Sequence, residues 1–190
     1  DGLLCLLTVR IGREIIAAAP KLKIIANYAV GYDNIDTEAA RARGIVVTNT
    51  PGVLTEATAD LAWTLLMSAA RLVPAGDRLV RSGQWQGWDP GLLLGSSVFG
   101  QTLGIVGAGR IGTAVALRAQ GFKMPIVYTS RSRNQLLEKE LGARRVELNE
   151  LLTSADFVSL HLPLTEATRH LIGPRELDLM KPGAVLINTA

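Results

Sequence analysis

The sequence is poor in the features that mark several protein classes. Among its 190 residues there is one cysteine, so no disulfide can form within the chain and a disulfide-stapled scaffold is excluded. That residue, Cys5, lies in the run Leu3-Leu4-Cys5-Leu6-Leu7, where a buried, inert thiol is expected and a reducing cytoplasm is the natural setting. No apolar run reaches the roughly 18 residues that span a bilayer, so no membrane partner is expected. The start lacks an initiating Met and a charged n-region, which argues against a signal peptide, and Asp1 directly ahead of a strand-like run reads as a cut edge. Twenty basic and seventeen acidic residues leave a formal charge of +3. With no polybasic run and no RNA-binding signature, no nucleic-acid partner is expected. Low-complexity tracts and short repeats are absent, and no metal site is expected.

What is present is apolar material, 48% of the chain, arranged as short runs alternating with helical patterns. Leu3 to Leu7, Lys23 to Ala26 and Ile45 to Thr48 read as strands, with helices over Ile11 to Ala19 and Ile35 to Arg43 between them. Asn49-Thr50-Pro51-Gly52 is punctuation, after which Thr55 is placed to cap a long helix running toward Arg71. A domain change is placed here, giving residues 1–52 and 53–190. Arg81 to Ser97, rich in Gly, Trp and Ser, reads as a surface excursion. A second set of strands follows at Leu103 to Val106, Ile126 to Tyr128, Phe157 to Leu160 and Ala184 to Ile187. Helices are read over Ile111 to Gln120, Gln135 to Leu141 and Pro174 to Met180. The alternation predicts an α/β fold: a Rossmann-type, doubly wound parallel sheet preceded by part of a smaller α/β domain.

Gly107-Ala108-Gly109-Arg110-Ile111-Gly112 follows the strand Leu103 to Val106 and opens a helix. In that setting Gly107 makes the tight turn, Gly109 lets the backbone approach a pyrophosphate and Gly112 lets helix pack on strand, while the free N–H groups of the helix start favour an anion. An NAD site usually ends its next strand in a carboxylate that takes the ribose hydroxyl. Here Ser130, Arg131, Ser132 and Arg133 stand at that place. Hydroxyls and a guanidinium suit a 2′-phosphate, so NADP(H) is preferred, with NAD(H) possible.

Five stretches carry a further resemblance: Asn27 to Asp36, Asn49 to Thr55, Gly107 to Gly112, Leu160 to Thr165, and Ile187-Asn188-Thr189-Ala190. In this order they resemble the D-isomer-specific 2-hydroxyacid dehydrogenases, and the strand end Tyr128 to Arg133 is similar to the glyoxylate and hydroxypyruvate reductases among them. The resemblance implies a flavodoxin-like first domain, NADPH-dependent reduction of a small 2-oxo acid, and a homodimer formed partly through the long helix at Thr55. It further implies that Val30 and Gly31 hold the substrate carboxylate by backbone N–H groups. Gly107, Gly109, Arg110, Ile111, Gly112, Ser130, Arg131 and Ser132 would bind the cofactor, Leu162 and Pro163 would line its adenosine side, and Thr189 and Ala190 would touch the nicotinamide half. The family's catalytic Arg, Glu and His fall after Ala190, so no catalytic residue is assigned and the chain alone is expected not to turn over.

Other readings stand beside this one. An NAD-linked enzyme for another substrate, phosphoglycerate or 2-ketogluconate, would keep the fold. A nucleotide-sensing scaffold, as in co-repressors of this fold, would keep the nucleotide and lose turnover. His161 and His170 read as structural or solvent-facing, Asp33 and Asp36 as a turn and a helix cap, and Asp60 as a solvated helix residue. Trp85 and Trp88 read as part of the subunit contact or of an ordinary surface loop.

Overall fold

The computed structural model describes residues 1–190. By its internal contacts the chain divides into two compact units, Asp1–Leu54 with Pro163–Glu166, and Thr55–Leu162 with Ala167–Ala190.

In the first unit the β-branched and leucine-rich runs form three parallel strands, β1 (Gly2–Cys5), β2 (Ile24–Asn27) and β3 (Val46–Thr48), paired in that order. The connections are helices α1 (Arg13–Ala18) and α2 (Thr37–Ala42). Asp36 caps α2 by accepting the Ala39 N–H at 2.8 Å, as its position ahead of the helix suggests. Strand periodicity sends Leu3, Cys5, Ile25 and Val47 into one core with Ile11, Ile16, Ile35, Ala40 and Ile45. The alternate residues Leu4, Ile24 and Val46 point the other way and are 76%, 39% and 55% exposed. One face of this sheet is covered by helices; the other is apolar and bare.

The second unit opens with α3 (Thr55–Ala70), whose Ala59, Ala62, Trp63, Leu66 and Ala70 are buried at helical spacing. Its alanines admit close approach of α5 (Arg110–Arg118), and Trp63 stacks on Phe122 with centroids 5.1 Å apart while its Nε1 donates to the Val115 carbonyl. Five parallel strands follow: β4 (Leu103–Val106), β5 (Ile126–Thr129), β6 (Arg144–Arg145), β7 (Phe157–Leu160) and β8 (Val185–Asn188). Their spatial order is β6-β5-β4-β7-β8. The chain therefore moves outward from β4 to β6, then crosses back to lay down β7 and β8. The order reverses between β4 and β7, the place where open α/β sheets take their ligands. β4 is buried at every position, between a core built on α3, α5 and α6 (Gln135–Leu141) and a second built on α7 (Leu148–Ser154) and α8 (Pro174–Leu179). None of the helices is long and apolar enough to cross a membrane.

Several elements differ from the sequence reading. Thr55 is the first helical residue of α3 rather than a cap ahead of it. Leu72, left-handed at φ 56°, breaks the chain into a separate helix α4 (Val73–Arg81), with Pro74 in its first turn, where the sequence reading has no helix. The helix read to Gln120 stops at Arg118 and tightens into a 3-10 turn over Ala119–Phe122. β6 and α7 are additions to that reading. β6 is a two-residue edge strand of arginines with no apolar signal, and α7 offers only Leu148 and the pair Leu151-Leu152.

Candidate functional site

The turn after β4 is built by contacts that only glycine tolerates. Gly107 has φ +100°, and a Cβ there would lie 2.5 Å from the His161 carbonyl oxygen and 2.8 Å from Leu162 Cδ2. A Cβ on Gly112 would collide with the Gly107 carbonyl and press on Ile105 Cγ2. Gly109 is different, because a Cβ there would meet no protein atom within 4 Å. It serves as the N-cap of α5 and supplies no side chain to satisfy the helix's first N–H groups. Arg110, Ile111 and Gly112 therefore present free donors at the positive end of a nine-residue helix, on the side that Gly109 keeps open.

Two side chains tie this turn to the end of β5. Asn134 caps α6 by accepting the Leu137 N–H, and its amide donates to the Ala108 carbonyl at 3.0 Å and to Thr113 Oγ1 at 2.8 Å. The Asn134 N–H in turn donates to the Tyr128 hydroxyl. Between these anchors Ser130, Arg131 and Ser132 form a loop in which Arg131 and Ser132 are exposed. The nearest acid, Glu138, is engaged elsewhere. It accepts from Arg133 Nη2 at 3.0 Å and from the Tyr128 hydroxyl at 2.7 Å, and the Arg133 bond, then the Tyr128 bond, holds its carboxyl below the usual range. Burial, then the bond to Glu138, raises the Tyr128 phenol, so it stays protonated and donating. Arg131 carries no such ion pair.

His161 directly follows β7, beside the glycine turn. Its Nε2 lies 2.8 Å from Ser159 Oγ, and burial lowers its pKa to about 4, leaving a neutral imidazole at physiological pH. His170 is exposed, in the left-handed conformation at φ 55°. Asp60 is not simply solvated, since with Glu56 it receives the Arg118 guanidinium, at 2.7 and 2.8 Å. Past β8, Thr189 Oγ1 is buried without a hydrogen-bond partner, and the Ala190 N–H is turned back onto Asn188 Oδ1. Pro163 groups with the first unit rather than with Leu162.

Within the first unit, the Val30-Gly31 turn is held from behind. Asn49 Nδ2 donates to the Val30 carbonyl at 2.8 Å and Asn27 Nδ2 to the Gly31 carbonyl at 2.7 Å. Asn27 is buried against Asn34, which reaches the Leu6 and Val9 carbonyls, and Cys5 Sγ donates to Asn27 Oδ1. Burial raises the Cys5 pKa, so its thiol stays protonated and inert. With both carbonyls engaged, the Val30 and Gly31 N–H groups donate to nothing in the chain. Free paired N–H groups on a turn suit a carboxylate. The asparagines belong to the stretches that carry the resemblance, yet sequence alone does not disclose their role because their partners lie far along the chain.

The second unit fits a nicotinamide dinucleotide. Its glycine pinch, uncapped helix start, open Gly109 and unpartnered Thr189 hydroxyl all lie at the ends of strands β4 and β8 or directly after them. Comparison with known proteins agrees. Residues 63–190 match the model of the D-isomer specific 2-hydroxyacid dehydrogenase, NAD binding domain. The chain is 57% identical over 194 residues to a glyoxylate reductase of Thermococcus litoralis, covering all of this chain and 59% of that one. It is 58% identical over 191 residues to a glyoxylate reductase of Korarchaeum cryptofilum, again covering all of this chain and 58% of the other. Among solved structures, a protein from Thermus thermophilus superposes with a TM-score of 0.93 at 51% identity, over all of this chain and 59% of that one. The chain thus spans somewhat more than half the length of the relatives it matches.

Proposed function

The chain belongs to the D-isomer specific 2-hydroxyacid dehydrogenase family, and from that membership we propose that the protein it forms part of uses NADPH to reduce glyoxylate or hydroxypyruvate to the D-2-hydroxy acid. The dinucleotide, when bound, supplies a hydride for the carbonyl carbon. The residues of this chain bind and orient. The uncapped N-terminus of α5 takes the pyrophosphate, and the open position at Gly109 lets the backbone close on it. The Val30 and Gly31 N–H groups take the substrate carboxylate. Leu162 lines the adenosine side, and Thr189 and Ala190 meet the nicotinamide half, where the buried Thr189 hydroxyl lacks a partner. His161 is assigned no catalytic role: it is neutral, half-buried and engaged with Ser159.

The observation that carries the cofactor choice is the end of β5. Ser130, Arg131 and Ser132 stand where a ribose-binding carboxylate would be, and Glu138 is neutralised by Arg133. An unpaired guanidinium attracts a 2′-phosphate that a carboxylate would repel. Fluorescence titration with NADPH and NADH tests the choice, and tighter NADH binding overturns it. Arg131→Asp is expected to weaken NADPH by at least about tenfold while changing NADH little; equal losses would show that Arg131 does not meet the phosphate. Oxidation of NADPH by the complete protein on addition of glyoxylate tests the reaction itself.

The outer side of α3 exposes Leu61 and Leu65, and Trp85 and Trp88 beyond α4 are also exposed. These side chains support the further reading that the protein is a homodimer. The lone, protonated Cys5 supports a reducing compartment, the cytoplasm.

A further inference from the structure

Arg145 has no part in the glycine turn and belongs to the short edge strand β6, paired in register with Tyr128 of β5. Its side chain nonetheless reaches the loop that follows β5. Nε and Nη2 donate to the Ser130 carbonyl at 3.1 and 2.8 Å, and Nη2 also donates to the Arg131 carbonyl at 3.3 Å. An exposed arginine ordinarily seeks a carboxylate or water; this one grips two successive backbone oxygens and makes no direct contact with a carboxylate. The grip does two things. It draws the negative ends of the Ser130 and Arg131 peptides toward β6, away from any anion approaching their other side. It also sets the Arg145 positive charge against the backbone of Ser130 and Arg131, near enough to Glu138 to help lower that carboxyl, whose direct ion pair is with Arg133.

We propose that Arg145 is a positioning residue for cofactor selectivity, bracing the Ser130–Arg131 backbone so that this loop receives a 2′-phosphate. The inference rests on the NADPH reading of the same loop. It assigns the selectivity to a two-point contact from a neighbouring strand as well as to the loop's own side chains. A lysine could keep the charge but not the fork, because a single ammonium on a flexible stem cannot reproduce the planar geometry that reaches two carbonyls at once.

The probes are 2′,5′-ADP and 5′-AMP, which differ only by the 2′-phosphate and need no turnover. Calorimetric titration of the chain should show wild type binding 2′,5′-ADP more tightly. Arg145→Gln should weaken 2′,5′-ADP by about tenfold or more and leave 5′-AMP within about twofold, and Arg145→Lys should recover only part of the loss. Because Arg145 is exposed, both variants should melt close to wild type. If Arg145→Gln changes neither ligand, or weakens both equally, the bracing role is overturned while the NADPH reading stands. Complete recovery in Arg145→Lys would show that charge alone acts and would also overturn it. If wild type does not discriminate between the two probes, the NADPH reading fails and the inference falls with it.

Discussion

Gly107 and Gly109 stand two positions apart and answer to different constraints. Gly107 is required by the protein itself, through its positive φ and the nearby His161 carbonyl. Gly107→Ala should cost about 1–3 kcal/mol in backbone strain alone, more with the clash, and appear as a lowered melting temperature. Gly109 faces open space, so Gly109→Ala should melt close to wild type yet bind nucleotide at least about tenfold more weakly if a pyrophosphate closes on that position. A Gly109→Ala protein that binds normally would place the pyrophosphate elsewhere. His161 gives a third test at this scale. Its pKa falls from 6.5 to about 4 on folding because burial disfavours the charged ring. The unfolded chain therefore binds the proton more readily, and the contribution to stability is complete above about pH 6.5 and lost as pH falls toward 4. That loss amounts to about 3 kcal/mol. Melting curves between these limits should show the slope, and His161→Gln should flatten it.

Among the elements, β4, α6 and β7 are readable from sequence with the bounds they have in the structure, because each is a buried apolar run or a regular pattern between clear stops. β6, α4 and α7 are not. β6 owes its place to pairing with β5 rather than to its own two arginines, and α4 to a left-handed leucine that no local rule requires. The site divides in the same way. Its glycines and the Ser130 to Ser132 strand end can be named from spacing, whereas Asn134, Arg145 and the Asn27–Asn34 pair act through bonds to residues that spacing does not bring together. α3 invites a test of its own. If its outer leucines form a subunit contact, Leu61→Lys with Leu65→Lys should convert a dimer to a monomer on size-exclusion chromatography. A wild-type chain that elutes as a monomer sets the homodimer aside.

At the scale of the whole molecule, the two units are unequally finished. The second has cores on both sides of its sheet, whereas the first leaves Leu4, Ile24 and Val46 bare on one side. Exposed apolar area of this kind binds hydrophobic dyes. The chain should enhance 8-anilinonaphthalene-1-sulfonate fluorescence while folded, and Leu4→Lys with Val46→Lys should lower the signal. A folded wild-type chain with no enhancement would mean that this face is covered in solution.

The strand order of the second unit bears on when the protein becomes competent during its synthesis. That order reverses where β4 meets β7, and at the foot of that joint the Thr102 N–H bonds Asp156, 54 positions further along the chain. Closing so long a loop is among the slower steps open to a folding chain. A ribosome must also release all of β7 before β4 has its second neighbour. The nascent chain can assemble its glycine turn early and still have nowhere to hold a nucleotide, so nucleotide capture would mark the docking of β7 on β4.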